Sequence, residues 1–406
     1  MGDPTQKLFQ SSSIACPVPK PTPAITLILD SVGDMPLLRT LALFYMQLSV
    51  AQLLFLVHGS SIIGLELHGV KLSETKSSKY SFSDLQKRLA NKANKKTTIR
   101  RLYLDRIGDW YTVQSVATEV KYSLRHLELR SCEEAFISHG VLPRFSAVDT
   151  LVYDSGDTLL ESRLDFGTLL RGLPAVATLR LSGRSMRSIQ DTALPPTLSH
   201  LSMDYGILRS NVAASITAQQ RTGRDVALPA LTALTLLKCH PFPDLLEAVP
   251  AIRSALPRVR TLQLEIDWEQ RGVALLLGRM FPSVREVRLV VHTVAPLVRD
   301  WNEWTPPESL SVVGASVLTH VDRLSIQVVQ EKWDINASVR ALRNWCTSVV
   351  EADTLDGIRL QEIEASVLCQ GDGWRTMDSR VRMLMKLKDD GQWSYDFDYF
   401  NANPAC

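Results

Sequence analysis

The chain has 406 residues, 45% apolar and 22% charged. That is the composition of a soluble folded protein, with length for two or three ordinary domains or for one long repeat array. Its net charge of +2 gives no global attraction to nucleic acid or to a membrane surface. The six cysteines, at positions 16, 132, 239, 346, 369 and 406, form no C-x-x-C and no close pair, so their spacing offers neither a disulfide scaffold nor a zinc site.

Residues 1–24 read as a disordered proline-rich tail. MGDPTQKLFQSSSIACPVPKP has no basic stretch followed by an apolar one, so it is no secretory signal, and a reduced cytoplasmic or nuclear setting is expected. Within it, PVPKPTP favours an extended polyproline conformation, as a flexible lead-in or as a ligand for a proline-reading domain.

The greasiest run, 41-LALFYMQLSVAQLLFLV-57, is 17 residues long and carries Gln47, Ser49 and Gln52. A membrane helix wants about 20 apolar residues, so no membrane contact is expected. The run instead lies between two matching phrases, Leu38-x-x-Leu41-x-Leu43 and Ile62-x-x-Leu65-x-Leu67. The pattern continues with middle residues at Leu102, Leu127, Leu151, Leu179, Leu201, Leu234, Leu262, Val287 and Leu324. From Leu41 to Leu324 the ten intervals average about 28 residues, within the range of leucine-rich repeats.

Six instances follow a proline at a fixed offset: Pro36, Pro174, Pro196, Pro229, Pro257 and Pro282. Helical phrases such as Leu169-Leu170-x-x-Leu173 precede several of them. Proline stops a helix and biases its neighbour towards extended geometry. Each unit therefore reads as helix, proline stop, short strand. Stacked units give an α/β leucine-rich-repeat solenoid over about residues 25–330, with a curved parallel sheet on the concave side and helices outside. Cys132 and Cys239 fall at the asparagine-or-cysteine position of the repeat, as buried thiols. Met46, Val70, Ile107 and Val329 hold that position elsewhere, and Gly156, Arg184, Gly206 and Asp267 predict an irregular turn.

The first long interval holds a basic helical insertion near 71–98. Ser83-x-x-Gln86 is a capping box, and Leu85 and Leu89 form an apolar edge. Lys87, Arg88, Lys92, Lys95 and Lys96 supply charge, and residues 71–106 carry eleven Lys or Arg against three Asp or Glu. A solvated outer helix, a dock for an acidic partner and a nuclear address all fit this segment.

Beyond residue 330 the leucine phrasing fades into a degenerate repeat and cap, 331–406. Leu355-x-x-Ile358-x-Leu360 reads as a twelfth strand. Trp333, Trp345, Trp374 and Trp393 suit an aromatic-rich terminal unit over the last exposed core. WSYDFDYF at 393–400 reads as a strand with one buried face, or as a sticky tail.

These phrases, particularly MPLLRTLAL, LPRVRTLQL and FPSVREVRL, resemble the ribonuclease-inhibitor-like leucine-rich proteins, above all the fungal F-box-type set. The resemblance covers about residues 25–330. It implies a substrate-recognition subunit of a cullin-type ubiquitin ligase, in which an F-box ahead of the repeats docks the ligase adaptor. Residues 1–24 show no F-box, so the adaptor is an expected partner only of a longer form.

Catalytic and nucleotide-binding motifs are absent: there is no P-loop, G-x-S-x-G, H-E-x-x-H or G-x-G-x-x-G with its acid. No cofactor and no metal are expected, and the chain is read as non-enzymatic. With the leucines pointing inward, their neighbours point out. That places Arg101, Tyr103 and Asp105 on one rung and His126, Glu128 and Arg130 on the next, followed by Val152 with Asp154, then Arg180, then His200, Ser202 and Asp204. Side chains two apart on a strand lie roughly 7 Å from each other, too far for His200, Ser202 and Asp204 to act as a triad. Asp105, Arg130 and Asp154 form a column of alternating sign on neighbouring strands, which supports this register. A mixed-charge sheet with a tyrosine and arginines suits a protein partner, bound by a monomer. The rival reading is a nuclear or nucleic-acid-associated protein acting through residues 71–106.

Overall fold

Tight turns open strand after strand. Backbone bonds from Leu38 to Met35, Val176 to Leu173, Leu198 to Pro195 and Leu231 to Leu228, at 3.1–3.2 Å, each close a four-residue turn. The second residues of these turns are Pro36, Pro174, Pro196 and Pro229, the place where the ring's fixed φ is already correct. The recurrent proline is thus a turn residue as well as a helix stop. Two residues after each turn the chain enters a strand.

The computed structural model describes residues 31–32, 35–73, 97–108, 110–132, 142–155, 166–182, 193–220, 228–237, 256–267, 281, 283–292, 321–330, 360–369, 379–388 and 392–400. In chain order they form β1 (Thr40–Phe44), β2 (Gln47–Ser49), α1 (Val50–Gly59), β3 (Gly64–His68), β4 (Lys71–Ser73), β5 (Arg101–Asp105), α2 (Trp110–Val120), β6 (His126–Arg130) and β7 (Thr150–Asp154). There follow α3 (Phe166–Arg171), β8 (Thr178–Ser182), β9 (His200–Asp204), α4 (Tyr205–Gln220), β10 (Ala233–Leu237), β11 (Thr261–Asp267), β12 (Glu286–His292) and β13 (Arg323–Gln330). The last three are β14 (Glu362–Cys369), β15 (Ser379–Leu387) and β16 (Trp393–Phe400). Of the basic insertion near 71–98, residues 71–73 are strand β4 and residues 74–96, with Lys87, Arg88, Lys92, Lys95 and Lys96, lie outside the described residues, as does Cys239.

Fourteen of these strands make one sheet, in chain order except that β2 and β4 form a separate parallel pair. Neighbours from β1 to β14 are parallel, and the sheet runs on without a break at residue 330. The result is an α/β, solenoid-like array. The last two strands reverse: β15 is antiparallel to β14 and β16 to β15. Residues 370–378 are the whole connection into β15, fewer than the dozen or so that a parallel crossover needs.

The register follows the leucine phrase. Leu41, Leu65, Leu102, Leu127, Leu151, Leu179 and Leu201 stand opposite one another in sequence. Leu234, Leu262, Val287, Leu324 and Ile363 continue the column. Leu41 at the sheet's edge is half-buried, and all the others are buried. A second buried column runs two residues on, from Leu43 to Ala365, and a third three residues before, from Ile62 to Leu360. Repetition at this spacing makes one continuous core that no single unit could close.

The twelfth parallel strand is displaced from its expected place. Its inward residues are Leu360, Ile363 and Ala365, five positions beyond the Leu355, Ile358 and Leu360 phrase. Ala365 weakens the leucine signature, and buried Met383 of β15 stands opposite it to fill the slot. Two expected irregular turns are also replaced by regular structure. Asp267 continues β11 opposite His292, and Gly206 lies in α4, which starts directly after β9.

The apolar run at 41–57 resolves into β1, β2 and α1. Two of its polar residues form the helix cap: Gln52 N donates to Ser49 Oγ at 3.2 Å, and Ser49 N donates to Gln52 Oε1 at 3.0 Å. Leu53, Leu56 and Val57 are buried. Among the described residues, no helix is long and apolar enough to cross a membrane.

The first four large strands share an exit. Tyr45, Gly69, Arg106 and Ser131 each follow directly, with φ of 46°, 57°, 53° and 45°. Each turns the chain while its N–H still reaches the neighbouring strand, donating to the carbonyls of His68, Asp105, Arg130 and Asp154 at 2.7–3.0 Å. The next residue then drops inward, and Val70, Ile107 and Cys132 are all buried.

Cys132 Sγ lies 3.4 Å from the Leu104 carbonyl and 3.1 Å from that of Arg130. A serine hydroxyl could donate to the same oxygens. Cys132→Ser should therefore cost about 1 kcal/mol in urea denaturation, short of the penalty for a buried hydroxyl with no partner. A loss above about 3 kcal/mol would show that neither carbonyl accepts it.

Candidate functional site

Residues between the inward leucines face the opposite side of the sheet. One outward column reads Glu66, Tyr103, Glu128, Val152, Arg180 and Ser202 from β3 to β9. The next reads Phe44, His68, Asp105, Arg130, Asp154 and Ser182 from β1 to β8.

Across these columns runs a chain of rings. Phe44 stacks on His68 with centroids 4.3 Å apart, and His68 lies 4.8 Å from Tyr103. The Arg130 guanidinium sits over the Tyr103 ring at 5.3 Å, within cation–π range. Phe44, on the edge strand, is 54% exposed, an accessible aromatic at one end of the chain. Beside it Tyr45 covers Gly69, and its hydroxyl accepts from Arg106 at 2.6 Å.

Carboxylates flank the rings. His68 Nδ1 lies 3.1 Å from Asp105 and its Nε2 3.7 Å from Glu66. Glu128 takes Arg130 Nε at 2.7 Å and lies 3.5 Å from His126 Nε2. Burial alone would raise the Glu128 carboxyl, but the His126 hydrogen bond and the Arg130 charge outweigh it and hold it below the ordinary value. Burial pushes the Tyr103 hydroxyl up, against an opposing pull from Arg130. For Arg130, burial favours the neutral form and the Glu128 charge more than offsets it, so the guanidinium is held firmly charged.

Asp105, Arg130 and Asp154 stand in the expected register, and the Asp154 charge helps hold Arg130 ionised, but the closest contacts run elsewhere. Arg130 turns along its own strand to Glu128, while Asp105 pairs with His68 on the preceding strand. A guanidinium on a flexible stem selects the carboxylate it can reach in a good hydrogen-bond geometry, and register alone does not choose between candidates two residues apart.

Of the residues expected on this face, Tyr103, Asp105, His126, Glu128 and Arg130 are brought together. Arg101 and Arg180 are exposed nearby, with Arg180 separated from Glu128 by the buried Val152. His200 and Asp204 are not part of the cluster. Four ladder steps, roughly 19 Å, separate β9 from β5. His200 Nδ1 contacts Ser199 Oγ at 2.8 Å, and Ser202 is buried.

Phe44, Glu66 and His68 belong to the cluster and were absent from the expected surface. The signal for them was the same alternation, applied to the Leu41 and Leu65 rungs. Among the described residues, no group of three or more His, Cys, Asp or Glu is placed to hold a metal ion. No family model matches the chain, and no curated protein matches it.

Proposed function

We propose that this chain is a leucine-rich-repeat protein that works without catalysis, holding another protein on the outward face of its sheet. One observation carries the reading: the contiguous surface of Phe44, His68, Tyr103 and Arg130, flanked by Glu66, Asp105 and Glu128, spans four successive strands. Aromatic and arginine side chains contribute disproportionately to protein interfaces. Here they are already fixed by mutual stacking and ion pairing, so ordering them on binding costs less entropy. Four strands span roughly 15 Å, about the width of a helix or an extended segment. In a longer form carrying an F-box, the held protein would be a ubiquitination substrate.

The test is capture from lysate with cross-linking and mass spectrometry. Phe44→Ala and Tyr103→Ala should each leave the melting temperature nearly unchanged and weaken capture of a recurrent partner tenfold or more, about 1.4 kcal/mol. Lys92→Glu with Lys95→Glu should leave capture intact. The opposite pattern would transfer the function to the basic segment and favour a nuclear or nucleic-acid role, which a steep loss of affinity with added salt would mark.

A further inference from the structure

The large sheet ends on two edge strands, and the longer is β16, at eight residues. Among the described residues nothing pairs with its outer side. Backbone bonds show which groups face that way. Leu387 N donates to Gln361 O at 2.9 Å, so odd-numbered residues of β15 turn to β14. Lys388 N donates to Gln392 O at 2.8 Å, so even-numbered ones turn to β16. Lys386 stands opposite Ser394 and Leu384 opposite Asp396. Even-numbered residues of β16 therefore direct their N–H and C=O to β15, and those of Tyr395 point outward. Such an edge is a template for another strand.

Charge indicates what kind of strand. One row on the outward face reads Glu286, Arg323, Glu362 and Lys386 across β12 to β15. Arg323 and Lys386 each lie 3.9 Å from Glu362, and Arg382 of β15 lies 2.8 Å from Glu364 of β14. An anionic strand is thus followed by a cationic one. β16 continues the alternation: it holds Asp396 and Asp398 and no Lys or Arg. Asp396 is exposed and stands opposite Leu384, which offers it no charge. On the other face, Tyr395 is 53% exposed although it stands opposite the buried Met385.

We propose that β16 is a docking edge for an extended segment of a partner protein in which Lys or Arg alternates with apolar residues. The segment's main chain pairs with the outward groups of Tyr395. Its cations meet the Asp396 side of the strand, and its apolar residues cover Tyr395. Opposite charges across a strand pair are favourable, and like charges directly opposite are not. A second copy of β16 would bring two more aspartates and no cation, so it is the poorer occupant. This site is separate from the Phe44–Arg130 surface and stands or falls without it.

The test uses the full chain and fluorescein-labelled peptides, read by fluorescence anisotropy. The probe alternates lysine and valine over eight residues. The controls are its glutamate–valine counterpart and a scrambled peptide of the same composition with the lysines in one block. The alternating basic peptide should bind at least tenfold more tightly than either control. Asp396→Lys should weaken it tenfold or more. Tyr395→Pro, which removes an outward N–H that β15 does not use, should abolish binding with little change in melting temperature. If Tyr395→Pro fails to fold, the charge reversal decides alone. The proposal is overturned if the scrambled peptide binds equally well or if Asp396→Lys leaves the affinity within twofold. It is also overturned if the chain is a dimer in sedimentation that Tyr395→Pro dissolves, since the edge would then serve a second copy.

Discussion

Leu127→Ala should cost about 2–5 kcal/mol of stability, the penalty for removing a buried leucine from a packed core. Leu127 is 1% exposed and stands between Leu102 and Leu151, both fully buried, in the column that runs through every parallel strand of the large sheet. Its neighbours sit on hydrogen-bonded strands whose spacing is set by the ladder, so the cavity can collapse only in part. The matching test is Leu41→Ala. Leu41 occupies the same register position on the edge strand, where it is half-buried and, among the described residues, paired on one side only. Its loss should be clearly smaller, since each unit of such an array is held by its immediate neighbours. Urea denaturation of both variants measures the difference. Equal costs, or a Leu127→Ala curve that overlays the wild type, would contradict the inward column.

Gly69→Ala should be the most damaging of the small substitutions at the strand exits. Gly69 has φ of +57°, and a Cβ there would lie 2.5 Å and 2.8 Å from two carbons of the Tyr45 ring. The left-handed backbone costs an L-residue about 1–2 kcal/mol. The ring must also move, which disturbs the hydroxyl that accepts from Arg106 at 2.6 Å. Tyr45 adjoins Phe44, so the displacement reaches the proposed binding surface. A double-mutant cycle separates the two costs. In a Tyr45→Ala background the contact disappears and the backbone cost remains, so Gly69→Ala should destabilise less there than in the wild type. If the two losses match, the ring contact contributes nothing.

Tyr45, Arg106 and Ser131 adopt the same left-handed turn without being glycine. This tolerance fits the bond each N–H makes to the next strand, at 2.7–3.0 Å. The local conformational cost is offset by keeping a buried donor satisfied. Such an exchange is invisible in sequence, because nothing at Arg106 or Ser131 marks a positive φ.

The candidate surface was legible as a set of positions and not as a set of contacts. Alternation about Leu102 and Leu127 put Tyr103, Asp105, His126, Glu128 and Arg130 on one face, since side-chain direction in a strand has a period of two. Which carboxylate Arg130 would take depends on where each side chain can reach once neighbouring strands are in place. Glu128 takes it at 2.7 Å, and Asp105 is engaged by His68. Ring stacking from Phe44 through His68 to Tyr103 likewise requires β1, β3 and β5 side by side.

By itself the sequence determined the parallel array. Inward leucines at a fixed phrase, recurring about every 28 residues from Leu41 to Leu324, specify strand position and register together, because a slip of one residue would turn every leucine outward. Only the tertiary structure decided how the array ends and what its face holds. The twelfth strand stands with Ile363 opposite Leu324, and Ala365, at a position leucine holds on most other strands, is covered by Met383 from β15. The reversal at β15 follows from a connection too short to cross over. The charges of β13 to β15 pair across strands that lie far apart in the chain, from Arg323 to Lys386. A repeating apolar pattern carries its own partner in the next repeat. A long polar side chain finds its partner only when the sheet has formed.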